Sequence, residues 1–243
     1  MNRVIRSIYK RLGILHLGRR RVRDLIDFIE NRGIDVVIDV GANVGQFGQS
    51  LRDGGYPGKI VSFEPIQSAF QALSKKAASD GNWQAHHCGL GAASGTATLH
   101  VSGLSECSSI LDLASSAGLH DSRIATDHTE EIQIKTLDEV AAGLSGKILL
   151  KIDTQGYEKH VIEGGPQTLQ RSLGILMELP VIHVYQGEWQ FHEAIKFMAA
   201  LGFVPAQIQP VGFHRRDNVS AVEFDCLFRP LSHVDGTPSA VSS

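Results

Sequence analysis

The sequence predicts an α/β fold, a Rossmann-like and mostly parallel sheet with helices on both faces, and three observations predict it. Val36-Val37-Ile38-Asp39-Val40 is an apolar, β-branched run that passes through Gly41-Ala42-Asn43-Val44-Gly45 into the helix-compatible Gln46-Phe47, which reads as strand, tight loop and helix start. Lys59-Ile60-Val61-Ser62-Phe63 repeats the buried-strand pattern and ends in Glu64-Pro65 before another helical stretch. The same design returns at Lys147 to Glu158 and again at Gly174 to Leu179. With 243 residues, 42% of them apolar, the chain can bury one large core of this kind, which excludes a wholly disordered protein.

The first loop carries the chemistry. Glycines let the backbone turn sharply and approach a ligand, a helix start presents free N–H groups, and an acid at the end of the next strand accepts hydrogen bonds from ribose hydroxyls. A dinucleotide site of the form G-x-G-x-x-G would need a middle glycine where Asn43 stands, because a pyrophosphate nearly touches that backbone. A cofactor without phosphates has no such need, so D-x-G-x-N-x-G with a downstream acid points to S-adenosylmethionine (SAM). The candidate cofactor residues here are Asp39, Gly41, Ala42, Asn43, Gly45, Glu64 and Pro65.

Taken in order, residues 1 to 23 hold eight Arg and Lys and no acid, with Ile5, Ile8, Leu12 and Leu15 at helical spacing. That segment either lies on an anionic membrane surface or packs its apolar stripe on the core. Val22, Leu25, Ile26 and Ile29 mark a second helix, closed by Asn31-Arg32-Gly33 as a C-cap. Ser68 to Ser79 reads as helix and Trp83 to His87 as a third strand, followed by Gly89 and Leu90, the candidates for contacts to the adenine base. Gly95 to Val101 alternates like an edge strand, and Ser102 to Thr129 reads as an irregular insertion of the kind that forms lids and substrate loops. Ile132 to Lys135 is a strand, and Thr136 with Glu139 makes a capping box. The strand ending at Asp153 feeds a helix expected to run to about Ser172, and Glu178 stands near the end of the strand after it. Asp39, Glu64, Asp153 and Glu178 are expected to converge on one rim, because ligands of open α/β sheets gather at the carboxyl ends of the strands. Glu188 to Leu201 reads as helix, Phe203 to Gln209 and Val222 to Phe228 as the last strands, and the tail from Pro230 as disordered.

Composition narrows the function classes. A net charge of -3 offers no general attraction for nucleic acid, and no N-P-P-Y-like base-flipping signature is present, so an RNA substrate is disfavoured. Cys88, Cys107 and Cys226 are an odd, widely spaced set, which suggests neither a disulfide framework nor a cysteine-rich zinc site and fits a reducing, cytoplasmic setting. No apolar run approaches the roughly 18 residues of a spanning helix, so the expectation is a soluble protein, peripheral at most.

The D-V-G-A-N-V-G-Q-F loop, the F-E-P after the second strand, K-I-D-T-Q-G-Y-E at 151 to 158 and the I-L-M-E-L strand together resemble the FkbM-type methyltransferase family over roughly residues 35 to 228. The resemblance implies a class I methyltransferase fold with a seven-stranded sheet, flanked by an N-terminal helical extension (1 to 34) and a C-terminal tail (230 to 243). It implies SAM as methyl donor, O-methylation, and an acceptor hydroxyl on a sugar of a glycolipid, polysaccharide or natural product. Relatives commonly carry glutamate where this chain has Gln155.

Methyl transfer to a hydroxyl needs alignment and a group that takes the proton. The candidates are Asp153 at the strand end facing the acceptor, Glu178, and His183 just beyond it, with His160 and His214 weaker. Asp153 also reads as a helix cap or a partner of the cofactor's amino group. A magnesium-assisted variant would use Asp153 and Glu178 as hard oxygen ligands for a sugar diol. The alternative from another class is a SAM-fold protein that binds a membrane surface without turnover, motivated by the basic N-terminal segment.

Overall fold

The computed structural model describes residues 19–103, 108–112, 126–181, 185–213, 217 and 219–233. Helix α1 (Arg19–Arg32) leads into β1 (Val36–Val40), α2 (Gln46–Asp53), β2 (Lys59–Phe63), α3 (Gln67–Ala77) and β3 (Trp83–His86). There follow β4 (Gly89–Leu90), β5 (Gly95–Ser102), β6 (Thr126–Lys135), α4 (Leu137–Ala141) and β7 (Ile148–Ile152). The chain continues through α5 (Glu158–Glu163), α6 (Pro166–Gln170), β8 (Ser172–Pro180), α7 (Phe191–Ala200), β9 (Phe203–Phe213) and β10 (Ala221–Pro230). Seven strands form one sheet in the order β3-β2-β1-β7-β8-β10-β9, parallel through β8 and antiparallel at the β10 and β9 edge. This is the α/β architecture predicted from the alternation of apolar strands and amphipathic helices.

Strands β1 and β7 are buried along their whole length, which is why they read as continuous apolar runs rather than alternating ones. One face of the sheet packs Val36, Ile38, Leu150, Ile152, Met177 and Leu179 against α4 to α7. The other packs Val37, Ile60, Leu149 and Leu227 against Leu25, Ile26 and Ile29 of α1 and Phe47 and Leu51 of α2. The helix signal of α1 is therefore a core-packing signal. The amphipathic stretch at 5 to 15 and the tail beyond residue 233 lie outside the described residues. Among the described residues no helix is long and apolar enough to cross a membrane.

Two elements differ from expectation. The helix expected to reach Ser172 is two, α5 and α6, broken at Gly164-Gly165-Pro166. A Cβ on Gly164 would fall 2.1 Å from the Gly91 carbonyl oxygen, so the backbone there is pressed against the turn after β4, and Pro166 restarts the helix at its first position. The insertion is also less irregular than expected. β6 begins at Thr126 and pairs antiparallel with β5, and β4 joins them to make a separate three-stranded sheet. Ile132 and Ile134 on β6 and Leu99 and Val101 on β5 close a small core with Ile66 and Ala69, while the polar residues of β6 face outward.

Candidate active site

Gly41, Asn43 and Gly45 all adopt positive φ, at 74°, 47° and 81°, so the loop after β1 is a run of left-handed turns that a glycine or asparagine tolerates. At Gly41 the demand is also steric. A Cβ there would lie 1.8 Å from the backbone oxygen of Asp153, so the loop and the end of β7 touch backbone to backbone. The Asn43 side chain accepts the Val44 N–H at 2.6 Å and closes its own turn.

Glu64 follows β2 and is 3% exposed. Its two oxygens accept the Asn43 N–H at 2.7 Å and the Ile66 N–H at 2.8 Å, which leaves each one a further lone pair. Burial nevertheless pushes its pKa up to about 7, against the two amides and Lys151. The loop and Glu64 form one wall of a cavity with about 600 Å³ of empty space, counted to its open mouth. Gly89, Leu90, Ile66, Leu99 and Ile110 make its apolar end, and Asp153, Thr154, Gln155 and Tyr157 its other side. An apolar slot for a base, a two-oxygen acceptor beside it and a polar far end fit the donor and acceptor pattern of SAM.

Of the predicted residues, Gly41, Asn43, Glu64, Pro65, Gly89, Leu90 and Asp153 are on the cavity wall. Asp39, Ala42 and Gly45 are not. Asp39 is fully buried inside the sheet, where it accepts the Ser62 hydroxyl at 3.3 Å. Gly45 presses on Leu73 and Trp83, with a Cβ position 2.9 Å and 3.2 Å from them. Their contribution is to hold the loop, so the expectation of four acids on one rim fails at Asp39. Glu178 is half-buried on β8 one residue beyond Met177, which pairs with Ile152, so it ends beside Asp153 on the neighbouring strand but off the cavity wall. His183 and His214 lie outside the described residues. His160 stacks on Tyr157 at 4.1 Å between ring centroids and does not line the cavity.

The residue that sequence reasoning passed over is Lys151. It sits behind the cavity wall, 6% exposed, with Nζ 3.3 Å from Asp39 Oδ1, 3.4 Å from Asp153 Oδ2 and 3.3 Å from the Gly41 carbonyl oxygen. Burial pulls its pKa down, and the Asp153 and Asp39 charges outweigh that pull, so the net shift is upward. The signal was present: a lysine inside the apolar run Ile148-Leu149-Leu150-Lys151-Ile152 needs a buried counter-charge. The other oxygen of Asp153, Oδ1, accepts the Gln155 amide at 2.8 Å. Asp153 is thus engaged on both oxygens. Glu158 clamps the loop that follows, its Oε1 accepting the Thr154 and Gly156 N–H groups at 3.0 and 3.1 Å.

The magnesium variant finds no support in this donor set. Among the described residues no group of three or more His, Cys, Asp and Glu is placed to hold a metal ion, and Asp153 is already taken by a lysine and an amide.

A model of the methyltransferase FkbM domain matches residues 39–205. The chain belongs to that family. The match spans β1 to the start of β9, so both the cofactor loop and the Lys151 to Glu158 segment fall inside the FkbM domain. No curated protein matches the chain. Among solved structures, magnesium protoporphyrin IX methyltransferase of Synechocystis PCC 6803 with bound SAH, the demethylated cofactor, is similar in fold at a TM-score of 0.50. It is 12% identical, over 95% of this chain and 88% of that one. The same enzyme with bound SAM gives 0.47 at 13% identity over 95% and 85%. The 1,6-didemethyltoxoflavin-N1-methyltransferase of Burkholderia thailandensis gives 0.45 at 11% identity over 88% and 78%. At these identities the likeness concerns the fold, a class I methyltransferase fold. FkbM membership and the cavity together make the protein a SAM-dependent methyltransferase.

Proposed function

We propose that the protein is an O-methyltransferase that acts on a hydroxyl of a sugar, carried by a glycolipid, a polysaccharide or a natural-product scaffold. The observation that carries the reading is Glu178. Its pKa is raised well above the ordinary value by burial first and then by the charges of Glu223, Asp153, Asp225 and Glu158. A carboxylate made more basic by its surroundings, at the strand end beside the cofactor cavity, suits an alcohol nucleophile that must lose a proton as it attacks. SAM supplies a methyl group on a cationic sulfur, ready for displacement. Each oxygen of Asp153 already holds one partner, Lys151 or Gln155, so the hydroxyl proton is assigned to Glu178, the neighbouring carboxylate of raised basicity. The backbone around Thr154 and Gln155, fixed by Glu158, orients the acceptor side of the cavity.

Family membership supports the acceptor class. The basic segment 1 to 23 supports a peripheral contact with anionic lipid on the cytoplasmic face, as a glycolipid acceptor would require. Arg21 is excepted, because its guanidinium donates to the Pro210 carbonyl at 2.9 Å and lies 3.8 Å from Asp225 Oδ2.

The test has two arms. Glu178→Gln should leave calorimetric SAM binding unchanged and slow SAH release in the presence of acceptor by about 10²- to 10⁴-fold; a variant as fast as the wild type removes Glu178 from the role. Mass spectrometry of glycolipids and glycans from cells with and without the protein should find a glycan one methylene lighter when it is absent. An amine that differs instead would overturn the hydroxyl reading.

A further inference from the structure

We infer that Val181, Phe213 and Val219, at the rim where β8 and β9 end and β10 begins, dip into an anionic lipid surface. The inference builds on the reading of the acceptor as a glycolipid and carries the lipid contact from the N-terminal segment to the folded domain itself. Val181 follows β8 and donates its N–H to the Val222 carbonyl of β10 at 2.8 Å. Phe213 ends β9 opposite Ala221, the first residue of β10, and Val219 stands two residues before that strand. The three therefore ring the start of β10 across two strand spacings, roughly 10 Å. They are 49%, 38% and 78% exposed, in chain order.

Position separates this group from the single exposed apolar side chains that any protein surface carries. Three other large ones are exposed among the described residues. Leu201 and Leu231 lie at the opposite end of β9, where the Leu231 N–H meets the Gly202 carbonyl, and Ile208 lies midway along that strand. The rim group instead shares the edge of the sheet where β7 delivers Asp153 to the cavity and β8 carries Glu178, three residues before Val181. Val219 is also held in place by its own turn. Asp217 Oδ1 accepts the Val219 and Ser220 N–H groups at 2.9 and 3.0 Å, and Oδ2 accepts the Ser220 hydroxyl at 2.6 Å. Apolar area fixed in water this way becomes favourable once another surface covers it.

Charge chooses the partner. Arg21 donates to the Pro210 carbonyl at 2.9 Å, three residues before Phe213, so the N-terminus of α1 stands at the same edge. Eighteen residues precede α1, and they hold Arg3, Arg6, Lys10 and Arg11 with no acid. This cationic stretch therefore joins the domain beside the apolar rim. Anionic headgroups over acyl chains match that pairing of charge and apolar area, which a purely apolar protein partner would not. Asp217 is exposed and opposes the contact with one charge, already shared among three donors. In this pose the rim that carries Asp153 and Glu178 faces the leaflet in which a glycolipid presents its sugar.

Sedimentation of the full-length protein with phosphatidylcholine vesicles, with and without phosphatidylglycerol, tests the contact. Wild type should prefer the anionic vesicles, and the double variant Phe213→Ser with Val219→Ser should bind them about tenfold more weakly at an unchanged melting temperature. Should that variant not fold, Phe213→Trp decides: its added emission should be quenched by brominated phosphatidylglycerol, whereas native Trp83 and Trp189 are both buried and should not be. A double variant that binds as tightly as wild type overturns the inference, and so does Phe213→Trp emission left untouched in vesicle-bound protein. Either result assigns the contact to the N-terminal segment alone. Wild type that ignores anionic vesicles overturns it as well. So does a dimer in vesicle-free solution that the double variant dissolves, which would make the rim a contact between copies. Vesicle binding that persists while the methylated product proves to be an amine overturns the hydroxyl reading and leaves this contact standing.

Discussion

The half of the sheet that carries the cofactor loop and the half proposed to face the acceptor are built in different ways. On the β1, β2 and β3 side, position is set by backbone contact. Gly41 meets the Asp153 carbonyl, Gly45 and Gly48 lie against Trp83, and the oxygens of Glu64 meet main-chain amides. On the β7, β8 and β10 side, acids gather with few cations: Asp153, Glu178, Glu223 and Asp225 stand near Lys151 and Arg21, and burial raises the pKa of Asp225 to about 7. A rigid half suits a ligand that does not vary. A half with surplus negative charge, set by side chains, can be altered without disturbing the loop.

Lys151 joins the two halves, and its removal is the strongest way to break the contrast. Lys151→Met leaves Asp39 and Asp153 buried beside each other without their cation and should cost about 3 to 5 kcal/mol of stability. Urea denaturation checks this, and a loss below 1 kcal/mol would mean that water already screens the pair. Gly41→Ala attacks the backbone contact itself. Its Cβ has no room against Asp153, and φ of 74° adds strain, so a loss of about 3 kcal/mol is expected, whereas Gly81→Ala, with open space around it, should be nearly neutral. Similar melting temperatures for the two variants would show that the loop can move away from β7.

Glu64 tests whether the cofactor half really is fixed by hydrogen bonds. Its folded pKa of about 7 lies above the ordinary value of 4.5, so as pH rises the unfolded chain gives up this proton first. The stabilising contribution is fully present below 4.5 and is lost as pH rises to about 7. Across that window the group should account for about 3 kcal/mol of declining stability in the ligand-free protein. Glu64→Gln should flatten the decline; equal slopes for variant and wild type would place the titration elsewhere, Asp225 first. The same residue carries a smaller effect on affinity: Glu64→Ala should weaken SAM binding by about 1 to 3 kcal/mol in a calorimetric titration.

The contrast also explains what was legible in the chain before its structure. The cofactor half is written in consecutive residues, so D-x-G-x-N-x-G and the acid after β2 could be read as a unit. The acceptor half depends on register between strands far apart in sequence, such as Glu178 against Asp225, and periodicity carries no information on that pairing. The break between α5 and α6 was hidden for a similar reason, since Gly164-Gly165-Pro166 marks an interruption only once Gly91 is known to lie against it. Lys151 was legible as an anomaly and not as a partner, because its two carboxylates come from different strands and a lysine states a need without naming who meets it.

Arg21 is the smallest and sharpest of these comparisons. It comes from α1, before the first strand, and reaches the Pro210 carbonyl and Asp225 at the opposite edge of the sheet. The Asp225 side chain keeps 20% of its exposure and the arginine 29%, so solvent screens the ion pair and the carbonyl hydrogen bond supplies the larger share. Arg21→Gln should therefore cost only about 1 kcal/mol in urea denaturation. It should also raise the Asp225 pKa further, because the charge of that guanidinium lowers it. Side-chain carbon NMR of Asp225 reads that shift directly. An unmoved titration would detach α1 from the acidic edge and leave the helix as a packing element alone, whereas a shift to higher pH would make the basic N-terminal segment part of the electrostatics of the acceptor side.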